Sequence, residues 1–358
     1  MTQSINFKNM KKYGFLIAFL LPLFISACSK DDANSAKNDA DYITVDAKKA
    51  LTGSFIEFSG KDDWAPYQWN SLLEGMKKTG LNTVIVQFAA YNDNVWFNSN
   101  NTFTKNKSKF QLGRLLTAAE LKHMEVYIGL YFNEEYWHKQ TDVDWLKLHA
   151  DRCIEIAQEI NEQYGNSPAF KGWYIPHEPE PNAYNTDAKV ASFRDNFVNR
   201  ISNKLHQLNN KPVSIAAFWN SSLSSPAQLQ HFMAELAKSH LQIIMLQDGV
   251  GAKHVTLDQL GTYYQSAQKG LFEENKNYKG AFWTDLETFY SPTGEYPFTP
   301  ASFDRVSQQL AIETALPKVS KAVSFQYYDD MSTLSPHKAQ AQALREAYKK
   351  WLNQKTKQ

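Results

Sequence analysis

The sequence predicts an α/β fold, a (β/α)8 TIM barrel in a single domain, and three observations predict it. Eight short runs rich in Val, Ile, Tyr, Phe and Trp alternate strictly with longer segments of helical period. Eight such units within about 300 residues suit a closed barrel better than a doubly wound open sheet, whose Gly-x-Gly-x-x-Gly turn is missing after the first run. Acids, amides and aromatics gather at the C-terminal ends of the runs, which is the end where barrel enzymes carry their sites.

The elements follow in order. Strands are expected at 53–59, 82–89, 125–132, 172–178, 212–219, 242–247, 280–287 and 322–328, each four to eight residues of alternating or continuously apolar character. Helices are expected at 69–79, 111–122, 143–164, 189–208, 227–239, 256–269, 302–316 and 336–352, where apolar residues recur every three or four positions. The longest non-helical insertions, 91–110 and 288–301, follow the second and seventh strands. No Pro-, Gly- or Ser-rich linker divides 49–355, so this span reads as one barrel domain.

What precedes it is of another kind. Lys8, Lys11 and Lys12 lead into an apolar run over 15–24, too short to span a bilayer and of the length of a signal-peptide core. The run closes in Ile25-Ser26-Ala27-Cys28, which resembles the bacterial lipobox. That resemblance implies a signal peptide over 1–27, lipidation of Cys28, and a flexible polar tether over 28–48. The protein is therefore expected in the cell envelope, bound to the membrane through the lipid. Ser29, with no Asp at its place, points to the outer membrane where a cell has two. Cys153, the other cysteine, reads as a small buried residue, so no intramolecular disulfide is expected.

Lys plus Arg number 38 against 37 Asp plus Glu, and no basic run interleaved with aromatics occurs, so nucleic acid is not an expected partner. Nine Trp, eighteen Tyr and twenty-two Phe suit either a core or a groove for carbohydrate.

Strand ends of a barrel converge on one mouth. There the first strand brings Glu57, the third Asn133, Glu134 and Glu135, the fourth His177, Glu178 and Glu180, and the fifth Trp219 and Asn220. The sixth brings Gln247 and Asp248, the seventh Trp283, Asp285 and Glu287, and the eighth Gln326 to Asp330, Tyr327 among them. Glycosidic cleavage needs one protonated and one ionised carboxyl group, which two such strands can supply. Metal chemistry is not expected, because the first strand reads Phe55-Ile56-Glu57 without a His-x-His and only His177 of nine His falls at a strand end. No Gly-x-Ser-x-Gly elbow or Gly-rich phosphate cradle occurs, and no cofactor is implied.

The stretch His177-Glu178-Pro179 resembles the Asn-Glu-Pro of the retaining clan A (β/α)8 glycoside hydrolases, which place the acid/base after strand four and the nucleophile after strand seven. The resemblance implies Glu178 as acid/base and Glu287 as nucleophile, with His177 at the place of an Asn that bonds the 2-hydroxyl of the sugar. The stretches 53–56, 80–85, 129–132 and 172–178 are similar to the bacterial family called domain of unknown function 4434, identified with barrel glycoside hydrolases, and this likeness covers nearly the whole of 49–355. Asp285 shares strand parity with Glu287 and is the alternative nucleophile. Glu57, Asn220 and Asp248 are candidates for hydrogen bonds to substrate, and Trp219, Trp283 and Tyr327 for stacking on sugar faces or for the core. The resulting expectation is a retaining hydrolase of envelope or extracellular polysaccharide; the alternative is a surface lipoprotein that binds glycan without cutting it.

The tether has no apolar segment of its own, so membrane retention rests on the lipid. Wild-type protein is expected in the detergent phase of a temperature-induced phase separation, and Cys28→Ala in the aqueous phase. Wild-type protein in the aqueous phase contradicts lipidation.

Overall fold

The computed structural model describes residues 49–294 and 296–355, so the signal peptide, Cys28 and the tether lie outside the described residues. Within them, β1 (Leu51–Ile56), β2 (Thr83–Val86), β3 (Glu125–Gly129), β4 (Phe170–Ile175), β5 (Val213–Ala217), β6 (Ile243–Gln247), β7 (Ala281–Glu287) and β8 (Val319–Phe325) pair in parallel, each with the next. The pairing of β8 with β1, Ser54 opposite Ser324, closes the barrel.

Helices cover the outside: α1 (Pro66–Lys77), α2 (Gln111–Leu121), α3 (Val143–Tyr164), α4 (Asp187–Phe193), α5 (Asn199–Asn209), α6 (Pro226–Leu236), α7 (Leu257–Lys269), α8 (Phe303–Glu313) and α9 (Lys338–Lys355). Their starts are set locally. Before α6, Ser225 Oγ accepts from Gln228 N–H at 3.3 Å while Gln228 Oε1 accepts from Ser225 N–H at 2.8 Å, and Pro226 needs no partner for the N–H it lacks. Asp142 caps α3 through Trp145 N–H at 3.1 Å.

One helix departs from expectation. The segment anticipated as continuous over 189–208 is α4 and α5 joined by a wide π turn, Arg194–Val198. The extra residue in that turn lets Phe193, Phe197, Val198 and Ile201 all be buried, which a strict 3.6-residue period does not align so closely.

Two apolar layers result. One lies between strands and helices and includes Cys153, whose thiol donates to Tyr131 O at 3.2 Å. The other fills the barrel: Phe55, Ile85, Tyr127, Tyr174, Ala216, Ile243, Met245, Trp283 and Val323 form one cluster around the axis. Since successive side chains on a strand face opposite sides, this cluster fixes which residues of every strand point inward.

Strand ends differ from the sequence reading in two places that matter to the mouth. Strand β4 stops at Ile175 because Pro176 has no N–H to continue the ladder, and Glu178 follows outside the strand. Strand β8 stops at Phe325, three residues early, because Tyr327–Met331 turns into a short helix. Two small additions border the mouth: a sheet of Ala90–Tyr91, Asn94–Val95, Asn106–Lys107 and Tyr131–Phe132, and a ribbon pairing Phe289–Tyr290 with Thr299–Pro300.

Candidate active site

Continuing the inward parity by two residues brings Glu57, Gln87, Gln247, Asp285 and Phe325 to the mouth, and by four brings Glu287. Register sets their heights: Asp285 lies level with Gln247 and Val323, and Glu287 one pleat higher, level with Phe325. Glu178 joins them from beyond β4, where its carboxyl is hydrogen-bonded by the Gln247 side chain.

The three carboxyls differ in what supports a charge. Glu178 keeps part of its surface open to the mouth, yet the protein packed around it pushes its pKa up to about 7, moderated only by Gln247. It is thus largely protonated below neutrality. Asp285 is buried, its Oδ1 has no hydrogen-bond partner among the described residues, and burial followed by the charges of Glu287, Asp248 and Glu178 holds it well above the carboxylate range. Glu287 is equally buried, but its Oε2 accepts from Ala252 N–H at 2.7 Å. Burial and then Asp248 raise Glu287 to about 8, while the amides of Ala252 and Gly251 and the Arg305 guanidinium pull it down. Of the three, Glu287 has the most hydrogen-bond donors on its carboxyl, yet burial and the charge of Asp248 still leave it above Glu178.

The Ala252 bond depends on a glycine. A Cβ on Gly251 would lie 2.6 Å from Phe289 O and 3.0 Å from Glu287 Oε2, so only glycine lets the loop after β6 settle on the carboxyl and aim the Ala252 amide at it. Behind β7, Arg305 of α8 donates to Glu287 O at 2.6 Å and Phe289 O at 2.5 Å, and Gln309 bridges Glu287 O, at 3.3 Å, to Asp248.

Several expected site residues are elsewhere, and these are corrections. His177 has the opposite parity to Glu178 and is fully buried among Phe132, Tyr136, His149 and Phe197, so it cannot donate to a sugar in the mouth. Trp219 stacks on Tyr263 at 3.8 Å and donates to Gln247 O, between sheet and α7. Tyr327 lies against Gly75 of α1, because the chain has left the strand at Phe325. Trp283 does face inward, but low in the barrel, against Tyr127 and the Lys321 amine at 4.7 Å. Asp248 points outward into the network with Gln309 and Glu313. The Asn220 side-chain oxygen is engaged by the N–H and hydroxyl of Ser222.

Glu57 is where parity puts it: half-buried in the mouth, raised by burial, with Lys61 opposing and Asp329 adding to the shift. Sequence reasoning did not single out Gln87, Lys61, Phe289, Phe298 or Phe325. For Gln87 and Phe325 the signal is present, two residues beyond the inward Ile85 and Val323. For Lys61, in a turn after β1, no periodicity exists to read. A His and carboxylate cluster able to hold a cation, Asp187, His231 and Glu235, lies on α4 and α6 away from the mouth, and Lys238 and Arg194 already neutralise Glu235 there.

The sequence matches the family described as domain of unknown function DUF4434 over residues 51–340. The chain belongs to this family. It is similar to the uncharacterized protein YbcH of Escherichia coli K12, 22% identical over 203 residues, a match that spans 56% of this chain and 65% of that protein, just under two thirds of its length. Among solved structures, a Bacteroides thetaiotaomicron protein provisionally assigned as an α-L-fucosidase superposes with a TM-score of 0.71 at 21% identity over 87% of this chain and 98% of that one. The endo-1,4-β-D-mannanase of Thermotoga petrophila superposes at 0.58, with 11% identity over 85% and 99%. At such identities the likeness establishes the fold alone: this DUF4434 chain is a (β/α)8 barrel.

The buried acid between the other two yields a stability test. Asp285 is held neutral in the folded chain and ionises freely once unfolded, so it stabilises fully below about pH 4 and loses that contribution as pH rises toward its folded value. Asp285→Asn keeps the neutral form at every pH. Its melting temperature relative to wild type is expected to rise with pH above about pH 4, by roughly 2 °C per pH unit until the folded value is reached, when followed by scanning calorimetry. A gap that does not change with pH contradicts the assignment.

Proposed function

We propose that this protein is a retaining glycoside hydrolase of envelope or extracellular polysaccharide, held at the membrane by lipid on Cys28, with Glu178 as acid/base and Glu287 as nucleophile. The observation that carries the reading is the unequal support of two carboxyls on facing strand ends. Glu178 has one side-chain amide and a pKa of about 7, which suits a proton donor; Glu287 has an N–H bond and a nearby guanidinium, which suit a charged nucleophile. Similar solved structures, a provisionally assigned fucosidase and a mannanase, support carbohydrate as the substrate.

In the first step the Glu287 carboxylate attacks the anomeric carbon as the glycosidic C–O bond breaks, and the Glu178 proton passes to the departing oxygen. In the second, Glu178, now a carboxylate, takes a proton from water, which attacks the same carbon and releases Glu287. Positive charge developing on the sugar favours the ionised form of Glu287, offsetting the influence of Asp248. The neighbouring Asp285 is best kept neutral, since a second charge beside Glu287 would raise its pKa further.

One observation favours the second reading, glycan binding without cleavage: Glu287 at about 8 is mostly protonated near neutrality in the free protein. Turnover separates the two. Glu287→Gln removes the charge but not the shape, so kcat should fall about a thousandfold or more with melting temperature preserved. Unchanged activity in Glu287→Gln, with loss in Asp285→Asn, moves the nucleophile to Asp285.

Glu178→Ala should abolish cleavage of natural glycosides, whose alkoxide leaving groups need a proton, and spare the first step on aryl glycosides with acidic phenols. Azide, which needs no general base, should then restore turnover and yield a glycosyl azide of the substrate's anomeric configuration. Equal cleavage of natural and activated substrates by Glu178→Ala, or tight glycan binding by wild type with no hydrolysis of any substrate, rules the mechanism out.

A further inference from the structure

Beside Glu287, on the β7–β8–β1 side of the mouth, lies a cleft of about 370 Å³, within the size range of small-ligand sites, about 300–1,000 Å³. Its wall is a chain of rings that begins inside the barrel. Phe325 touches Phe55 with ring centroids 5.9 Å apart, Phe289 meets Phe325 at 6.2 Å, Phe298 stacks on Phe289 at 4.3 Å, and Tyr296 meets Phe298 at 5.9 Å. Exposure grows along its outer part, from Phe289 at 6% to Tyr296 at 72%, so the track runs from the barrel interior to open solvent.

Across from the rings sits Lys61, only 4% exposed. Its amino group lies 4.0 Å from the Tyr328 ring, and its one hydrogen bond, to Ser59 O, is 3.5 Å long. No ion pair within 4.0 Å is formed by it among the described residues; Glu57 and Asp329 act on it from farther away. A buried amine with spare donors, bracketed by two carboxyls that accept, matches adjacent sugar hydroxyls, each of which both donates and accepts. The ring track offers apolar faces to pyranose rings. Two carboxyls for one amine leave no uncompensated positive charge for an acidic sugar, and a uronate here would be buried beside Glu57 and Asp329.

We propose that this cleft binds the glycan chain and selects uncharged sugars over uronates, with Lys61, Glu57 and Asp329 holding paired hydroxyls and Phe298 and Tyr296 carrying the ring faces. The position of the cut bond relative to the cleft rests on the hydrolase reading; the binding chemistry does not.

Full-length protein in non-ionic detergent is run on native gels containing galactomannan, xyloglucan or polygalacturonate, and hydrolysis of each polymer is measured in parallel. Retardation by at least one neutral polymer and none by polygalacturonate is expected. Tyr296→Ala, an exposed change that spares the fold, should weaken retardation about three- to tenfold in dissociation constant, and Lys61→Met should abolish it. Stronger retardation by polygalacturonate, retardation by no polymer, or unchanged retardation in Tyr296→Ala overturns the proposal; Tyr296→Ala keeps the test valid should Lys61→Met fail to fold. Cleft-dependent retardation without hydrolysis upholds the cleft and removes the hydrolase reading. Glu178-dependent hydrolysis with retardation untouched by both cleft variants does the reverse.

Discussion

Side chains on a strand alternate between the two sides of the sheet, and in a closed barrel one of those sides is the axis. Everything at the mouth depends on this. Trp283 points inward, so Asp285 and Glu287 must follow it as a pair, one above the other. Met245 points inward, so Gln247 reaches the mouth and Asp248, one residue on, is sent behind the sheet. Glu178 keeps the inward parity of Tyr174 four residues on, although Pro176 has already ended the strand.

Crowding carboxyls into a space of low dielectric raises all of them, and the protein responds by distributing donors unevenly. The loop after β6 gives Glu287 an amide, which the absent side chain of Gly251 makes possible, and α8 gives it Arg305. Asp285 has no partner for Oδ1 among the described residues, and burial with the neighbouring charges favours its neutral form. Asp248 accepts from Val250 N–H at 3.0 Å and from Gln309, and shares a hydrogen bond with Glu313, so a second acid pair lies directly behind the first. The two groups of acids, one facing the mouth and one facing helix, act on each other through the strand.

The barrel was legible because its signal is repeated: eight strands and the order of helices follow from periodicity that survives an error in any one element. Glu178, Glu287, Asp285 and Glu57 were legible from their strand-end positions, and their parity does bring them inward. His177, Trp219 and Asp248 misled for the same reason, being at strand ends but of the opposite parity, and parity could be assigned only once the interior cluster was known. Tyr327 misled because the extended run was expected to continue past Phe325, where the chain turns helical. Lys61, Phe298 and Tyr296 stand in irregular loops, where no period relates a residue to the axis.

Arg305, Gln309 and Asp248 lie outside the barrel wall, yet they act on the main chain and carboxyl of Glu287 from there. Shape and acidity are therefore written in different residues. Substitution in the loops can reshape the cleft while the proton balance stays as it is, and substitution on the inner face of α8 can move the acidity of Glu287 while a ligand meets an identical surface. A barrel so wired can be adapted to a new substrate and to a new compartment in separate steps.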